Sequence, residues 1–125
     1  MSYDIYIVSA NGDDVLFREK HTINGSTYEV GGTNDAHLNV TFNYAPIFKE
    51  VLDPEFGIKI LNDMDINESL QVLDDANRSL SGTPDNDYWK CTEGNVKKVI
   101  QDLIKMAEMA MYEFPEIEMK WKILY

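Results

Sequence analysis

The stretch from residue 92 to residue 123 constrains the fold most strongly, because it predicts a long helix followed directly by a strand. Thr92 is a suitable N-cap residue, and Glu93 suits the positive end of a helix dipole. Apolar residues recur at helical spacing, namely Val96, Val99, Ile100, Leu103, Ala107, Ala110, Met111 and Phe114. The opposite, solvent-facing side is predicted to carry Lys97, Lys98, Gln101, Asp102, Lys105 and Glu108. Pro115 ends the helix, and the alternation over 117–123 predicts a final strand.

The N-terminal part carries strand patterns separated by turn residues. Residues 4–9 alternate and are rich in Ile, Tyr and Val, and Asn11-Gly12 predicts a tight turn into a second run at Val15. This pattern predicts an N-terminal hairpin. A short third strand is predicted at 27–30 and a fourth at 38–43.

Helices are predicted between these strands and the long helix. Pro46 suits a first helical turn, and the apolar residues that follow it at helical spacing indicate a brief helix. Asp65 followed by Glu68 indicates a capping box that opens a second helix. The chain is therefore predicted to form a single α+β domain over 1–125. A mostly antiparallel sheet, built from the N-terminal strands plus the C-terminal strand, is packed by two or three helices.

Charge narrows the classes of partner. The chain has 22 acidic and 11 basic residues and a net charge of -11, which argues against direct nucleic-acid binding and favours a basic protein partner. Between residues 50 and 93, eleven acidic residues stand against Lys59, Arg78 and Lys90, a net charge of -8. Such a segment is either a solvated acidic surface that aids solubility or a face that docks on a basic partner.

Composition and spacing also exclude several kinds of site. The single cysteine, Cys91, excludes an internal disulfide framework and indicates a reducing, cytoplasmic location. No apolar run is long enough for a membrane span, so no membrane partner is expected. His21 and His37 do not have the spacing of zinc ligands, and the glycines do not form a nucleotide loop. No metal, no cofactor and no catalytic residue is predicted.

A polar row on the fourth strand is the first candidate site. His37, Asn39, Thr41 and Asn43 alternate with apolar residues, and Tyr44 follows them. Such a row of amides, a hydroxyl and an imidazole is either a ligand-facing surface or a hydrogen-bonded brace for neighbouring loops. The residues alone leave both interpretations open.

The second candidate site is the acidic and aromatic segment before the long helix. Asp85 and Asp87 precede Tyr88 and Trp89, and Asn95 follows as a neighbour of either site. Large rings beside acidic residues are typical of interface anchors, since Trp and Tyr give a large contact area at low entropic cost. The alternative, favoured for Trp89, is that the rings close one end of a small core.

Three segments carry a resemblance: Tyr28-x-Val-Gly-Gly-Thr33, Leu38-Asn-Val-Thr-Phe-Asn-Tyr44 and Tyr88-Trp-x-x-Thr-x-Gly-Asn95. With them the chain resembles a group of small uncharacterised accessory proteins of phages, prophages and bacterial genomes. The segments cover less than a fifth of the chain. The resemblance implies a small accessory protein and implies no activity. The strand over 117–125 continues beyond the point where such proteins are expected to finish.

Three functional hypotheses follow. The first is a non-catalytic acidic protein that covers a basic partner surface, as a mobile-element inhibitor, anti-defence protein or immunity protein does. The second is a protein or enzyme that binds a nucleotide-like or sugar-like small molecule along His37 to Tyr44. The third is an assembly component that forms a homodimer through the final strand, if that strand lies at a sheet edge.

Overall fold

Strands come first in the chain, helices follow and a strand comes last. The structure, a computed structural model, describes residues 1–21 and 32–125. The strands are β1 (Ser2–Ser9), β2 (Leu16–His21), β3 (Thr33–Asp35), β4 (His37–Thr41) and β5 (Met119–Leu124), and the α-helices are α1 (Ala45–Val51), α2 (Ile66–Ser79) and α3 (Glu93–Glu113). Short 3₁₀ helices lie at Phe42–Tyr44 and Gly57–Leu61. The pairs that these five strands form are antiparallel, and the predicted α+β class is confirmed.

β1 is the central strand of the main sheet, whose order is β4-β1-β5. Tyr3, Ile5 and Ile7 alternate onto its buried face. The antiparallel register sets Ile5 opposite both Leu38 of β4 and Ile123 of β5, which are also buried. This face is a continuous apolar layer because side chains of paired strands lie side by side. The predicted pairing of the final strand with the N-terminal strands is confirmed.

The predicted N-terminal hairpin forms at its turn and just beyond it, where Asp14 bridges to Val8 and the Val15 N–H group donates to the Ile7 carbonyl at 3.4 Å. Gly12 has a φ of 91°, and the N–H group of Ser9 donates to the carbonyl of Asp13 at 2.8 Å. The chain then leaves β1, and β2 pairs with β3 in a separate two-stranded sheet. A strand has two edges, and those of β1 are taken by β4 and β5, so β2 does not continue the hairpin. The strand predicted at 27–30 lies outside the described residues.

Two helix starts that the sequence predicts are confirmed. The Asp65 carboxylate accepts hydrogen bonds from the N–H groups of Asn67 at 2.9 Å and Glu68 at 3.2 Å, where α2 begins. The Thr92 hydroxyl accepts one from the N–H group of Asn95 at 3.1 Å, where α3 begins. Each cap satisfies N–H groups that have no partner inside their helix.

The helices cover the apolar face of the main sheet. α2 and α3 pack against each other, and their apolar stripes join that face in one core. The stripe predicted for α3 is confirmed at Val96, Val99, Ile100, Leu103, Ala107 and Ala110, and Met106 adds to it. The prediction that Asp102 faces solvent is wrong, because this residue is buried. No helix in the described ranges has the length and apolar character that crossing a membrane requires.

β5 lies at an edge of the main sheet, but the chain itself covers the middle of that edge. The Trp121 N–H group donates to the Met64 carbonyl at 3.1 Å, and the Asp63 N–H group donates to the Trp121 carbonyl at 2.9 Å. The Ile123 N–H group donates to Oδ1 of Asn62 at 2.9 Å. Unpaired groups on an edge strand are what recruits a second chain. A homodimer through β5 therefore lacks a free edge at these residues.

Trp121 joins the sheet to α2 through a buried chain of hydrogen bonds. Its indole N–H group donates to the Ser69 hydroxyl at 2.8 Å, and that hydroxyl donates to the Ile66 carbonyl at 2.6 Å. Trp121 and Ser69 are both fully buried, which confirms the predicted core position of Trp121. A buried indole needs such a partner because an unpaired N–H group there has lost its water.

Replacing this hydroxyl should therefore weaken the fold. We expect Ser69→Ala to lower the free energy of unfolding by about 1–3 kcal/mol, because the indole N–H group of Trp121 loses its acceptor. The matched control is Ser79→Ala on the exposed side of the same helix, which should change it by less than about 0.5 kcal/mol. Urea denaturation at neutral pH measures both. Equal effects of the two substitutions would show that the buried bond contributes nothing.

Candidate functional site

Residues 81–92, here called the connecting loop, join α2 to α3 and gather most of the predicted site residues. Those that lie in this loop, or whose side chains bond to its backbone, are Asn43, Tyr44, Asp85, Asp87, Tyr88, Trp89 and Asn95. The side chains of His37 and Asn39 bond to β1 instead, and Thr41 lies between the two groups along the chain. The two candidate sites of the sequence are therefore neighbours in space.

The polar row divides where β4 ends. β4 ends at Thr41, so the strand predicted to reach Asn43 is too long. The Thr41 hydroxyl accepts a hydrogen bond from the Asn43 N–H group at 3.2 Å and caps the 3₁₀ helix that follows. A threonine that bonds its own backbone in this way competes with the strand ladder and turns the chain aside. Thr41 is also buried, whereas Asn43 is exposed.

His37 and Asn39 remain half-buried on the sheet beside β1. His37 Nε2 lies 2.9 Å from Oδ1 of Asp4, and the Asn39 amide donates to Asp4 Oδ1 at 3.0 Å and to the Ser2 hydroxyl at 2.8 Å. The His37 ring stacks on the Tyr6 ring with centroids 4.4 Å apart. Burial raises the pKa of Asp4, but the hydrogen bonds from Asn39 and His37 outweigh it and leave the pKa below its ordinary value.

Asn43 and Tyr44 fasten the connecting loop to the end of the sheet. The Asn43 amide donates to the Trp89 carbonyl at 2.8 Å, and the Tyr44 hydroxyl donates to the Tyr88 carbonyl. Tyr44 is buried, and this burial raises the pKa of its hydroxyl above its ordinary value. The Tyr88 hydroxyl donates in turn to the Asn39 carbonyl at 3.4 Å. The brace interpretation of the polar row is supported at Asn43.

Asn95 fastens the other side of the connecting loop to α3. Its amide group donates to the carbonyls of Lys90 at 2.7 Å and Asp87 at 3.1 Å, and its Oδ1 accepts from the Asp85 N–H group at 2.8 Å. Asn95 is only 5% exposed, so an unpaired amide would be costly here. All these bonds end on loop backbone, and Asn95 therefore holds the loop in one conformation.

Gly94 lets the connecting loop pass directly over the start of α3. A Cβ atom at this position would lie 1.9 Å from the Thr83 carbonyl oxygen and 2.4 Å from its carbonyl carbon. No side chain fits against backbone at such distances. Gly82, with a φ of 97°, turns the chain just before this contact.

Trp89 extends from the connecting loop and is 61% exposed. The interpretation that Trp89 closes the core is therefore wrong, whereas Tyr88 does pack against the core. The carboxylate of Asp87 accepts the Trp89 N–H group at 3.1 Å, and that of Asp85 accepts the Asp87 N–H group at 2.8 Å. Two exposed acidic side chains thus shape the backbone that carries the exposed ring.

The chemistry offered by the connecting loop is that of a fixed surface. It presents an aromatic ring, carboxylates and the exposed thiol of Cys91. Nowhere in the part of the chain that the structure describes do three or more His, Cys, Asp or Glu residues form a group that could hold a metal ion. The arrangement is suited to contact with another molecule through apolar burial and charge.

Asp102 is the buried charge that sequence reasoning missed. It is 3% exposed, its Oδ1 lies 2.6 Å from Nζ of Lys98, and its Oδ2 has no hydrogen-bond partner among the described residues. Burial raises its pKa, and the hydrogen bond and charge of Lys98 oppose that rise. The spacing of four residues between Lys98 and Asp102 was the available signal. That spacing is equally common in exposed helical ion pairs, so it did not reveal the burial.

Comparisons with family models, with curated protein sequences and with solved structures give no significant match. The resemblance to small phage and bacterial accessory proteins therefore stays a prediction. Functional proposals for this chain depend on the geometry described above.

The contact at Gly94 predicts that replacing this glycine with alanine destabilises the protein, whereas the same change elsewhere in a helix ordinarily stabilises it. Glycine to alanine within a helix ordinarily stabilises by roughly 1 kcal/mol. We expect Gly94→Ala instead to lower the free energy of unfolding by about 2 kcal/mol or more, because the new Cβ atom displaces the loop backbone at Thr83. Gln101→Ala, on the exposed side of α3, is the control and should stay within about 0.5 kcal/mol. Urea denaturation decides, and a stabilised Gly94→Ala protein would disprove the close approach.

The carboxyl groups of Asp102 and Asp4 are expected to change the free energy of unfolding in opposite directions as the pH changes. The folded-state pKa of Asp102 is raised, so its carboxyl group favours folding below the unfolded-state pKa of about 4, and this contribution is lost as the pH rises through the folded-state value. The folded-state pKa of Asp4 is lowered, so its contribution is present above about pH 4 and is lost as the pH falls through the folded-state value.

Two isosteric substitutions test these two pH dependences. From pH 4 upwards, Asp102→Asn should become progressively more stable relative to the original chain. Asp4→Asn should be less stable than the original chain at neutral pH, and this difference should shrink below about pH 4. Urea denaturation of the three proteins at a series of pH values between about 3 and 7 measures both trends. Parallel trends for the two variants would contradict the assigned directions.

Proposed function

We propose that this chain is a non-catalytic acidic binding protein that covers a basic surface of a partner protein. Contact is made through the connecting loop, with Trp89 as the apolar anchor. In this role the protein acts by occlusion, as an inhibitor, anti-defence or immunity-type protein of a mobile element does. The proposal is supported most directly by the exposure of Trp89 on a loop that is hydrogen-bonded from both sides.

The fixed conformation of the connecting loop makes the exposed Trp89 ring suited to binding. Fixing a backbone costs about 1–2 kcal/mol per residue in entropy, and this cost has been met here during folding. The carbonyl of Trp89 itself is held by Asn43, and the next carbonyl, that of Lys90, is held by Asn95. A ring that is already positioned loses less entropy when a partner binds, so more of its apolar burial appears as affinity.

The charge around the ring selects the partner. Arg78, near the loop, is shared between Asp74 at 3.0 Å and Asp75 at 2.8 Å, and Lys90 lies 4.0 Å from Asp85. These basic side chains are thus paired with acids of the same segment, within a chain of net charge -11. A basic surface is attracted from a distance and an acidic surface is repelled, and salt weakens both effects.

The alternative of a small-molecule site along His37 to Tyr44 has less support. The side-chain amide of Asn43 and the hydroxyl of Tyr44 already bond to loop carbonyls. Asn39 donates to Asp4 and Ser2. A ligand at these groups would have to replace bonds inside the protein, which reduces the affinity that they can supply.

The test compares two exposed aromatic residues. We expect Trp89→Ala to reduce recovery of a basic partner from a lysate of the source cell by at least about tenfold, because a buried Trp anchor commonly contributes 2 kcal/mol or more. Tyr112→Ala is the matched control, since Tyr112 is 90% exposed at the far end of α3 and should leave recovery unchanged. Affinity capture at low ionic strength with quantitative mass spectrometry makes the measurement.

Two further measurements complete this test. The partner should elute as the salt concentration is raised, and circular dichroism should show that both variants keep the fold. Equal recovery with Trp89→Ala and the original chain would contradict the role of the loop. Recovery of no protein at low ionic strength would contradict the binding role itself.

A further inference from the structure

The connecting loop carries two acidic residues, and they differ in whether a basic side chain lies near them. Asp85 lies 4.0 Å from Lys90, so its charge is offset within the loop. Among the described residues, no ion pair includes Asp87. Asp87 is exposed, its Oδ1 accepts the Trp89 N–H group at 3.1 Å, and its Oδ2 has lone pairs left to accept another donor. A charged oxygen of Asp87 is therefore open to a cation from another molecule.

Hydrogen bonds of the backbone fix the position of Asp87 beside the exposed ring. Its N–H group donates to Oδ1 of Asp85 at 2.8 Å. Its carbonyl accepts the Asn95 amide at 3.1 Å and the Lys90 N–H group at 3.2 Å. Since Oδ1 also bonds the N–H group of Trp89, the carboxylate is tied to the residue that carries the ring. A partner side chain that binds the carboxylate therefore lies close to the ring, and the loop loses little entropy in binding it.

The Trp89 ring is also available to a cation. In the described ranges, the aromatic ring that has a lysine over it is that of Tyr125, with Nζ of Lys59 at 3.4 Å from its centroid. The Trp89 ring meets the Tyr88 ring with centroids 5.2 Å apart and planes inclined by 77°, and Tyr88 packs against the core. Trp89 is otherwise largely in water, at 61% exposure. Tryptophan is the aromatic side chain that attracts a cation most strongly.

A ring and a carboxylate side by side favour a guanidinium group over an ammonium group. The guanidinium group of arginine is flat, weakly hydrated and carries its N–H groups in its plane, so it can stack on an indole and donate to a carboxylate at the same time. The ammonium group of lysine is compact and strongly hydrated, and it meets a carboxylate as a point charge. Contact with the ring therefore adds less to the binding of lysine.

We propose that Trp89 and Asp87 form a recognition site for an arginine side chain of the partner. The guanidinium group stacks on the Trp89 indole and donates to Oδ2 of Asp87. This inference rests on the proposed function, because it names the group of the basic partner that the connecting loop binds. Lys90, the neighbouring basic residue, opposes this site little because its charge is offset by Asp85.

Two peptides of equal charge test the preference for arginine: acetyl-Arg-Gly-Arg-Gly-Arg-amide and the same peptide with lysine in place of each arginine. Titration of ¹⁵N-labelled protein follows the indole N–H signals of Trp89 and Trp121. We expect the Trp89 signal to shift with a dissociation constant at least about threefold lower for the arginine peptide. The Trp121 signal is the internal control and should not move, because its indole is buried and bonded to Ser69. Equal constants for the two peptides, or no shift of the Trp89 signal, would overturn the proposal.

Two variants separate this site from the attraction of the net charge. Asp87→Asn keeps an acceptor for the Trp89 N–H group but removes the charge, and it should raise the dissociation constant of the arginine peptide about threefold or more. Glu108→Gln removes the same charge from the exposed side of α3 and is the matched control, which should change the constant by less than about twofold. Equal weakening by the two variants would assign binding to net charge alone and overturn the site.

Failure of the arginine site can be told apart from failure of the docking role. Partner capture that is lost in Trp89→Ala, together with equal binding of the two peptides, would overturn the arginine site and leave the docking role intact. Partner capture that is unchanged in Trp89→Ala, together with a preference for the arginine peptide, would contradict the docking role and support the site for arginine.

Discussion

The occupation of both edges of β1 determines the rest of the fold. β1 accepts β4 on one side and β5 on the other, and its alternating residues Tyr3, Ile5 and Ile7 form the centre of the apolar layer that the helices cover. Because no edge is left, β2 must pair elsewhere, and after Val15 the chain forms a second, small sheet with β3. The same arrangement brings the C-terminal strand beside the N-terminal one. It also leaves β5 at an edge that the segment before α2 covers.

The residues that follow the end of β4 link the main sheet to the connecting loop by hydrogen bonds. Thr41 ends the strand by bonding the N–H group of Asn43, and the 3₁₀ helix that follows turns the side chains of Asn43 and Tyr44 towards the loop. From the other side, Asn95 holds three further backbone groups. The loop is therefore fixed between a strand end and a helix start, each of which belongs to the core. Its conformation therefore depends on the packing of the whole domain as well as on its own Asp85 and Asp87.

Much of the fold could be predicted from the sequence because its signals are local. The caps at Asp65 and Thr92 lie within three residues of the groups that they bond, and the stripe of α3 is set by helical periodicity alone. The errors concern partners that are distant in sequence. Alternation showed that residues 4–9 form a strand but not which strands would occupy its edges. Asp102 was assigned to solvent because its helical position gave no sign of its burial. For the site, the sequence identified the residues of the loop but not their roles, since the 1.9 Å approach of Thr83 at Gly94 and the exposure of Trp89 arise only when the loop crosses α3.

Polar residues near the connecting loop differ in whether their hydrogen-bonding groups can still bind another molecule. Asn43 and Asn95 direct their amide groups to backbone carbonyls, and a group engaged in this way contributes rigidity because a ligand can bind it only by breaking an internal bond. Trp89 has most of its surface in water, and Asp85 keeps lone pairs beyond its bond to the Asp87 N–H group and its ion pair with Lys90. The two asparagines hold in place the loop that carries Trp89 and Asp85. A row of polar residues that resembles a ligand-reading surface in the sequence is therefore better explained, at Asn43, as support for the connecting loop. Under the proposed function, recognition falls to the aromatic and charged side chains that this support leaves accessible.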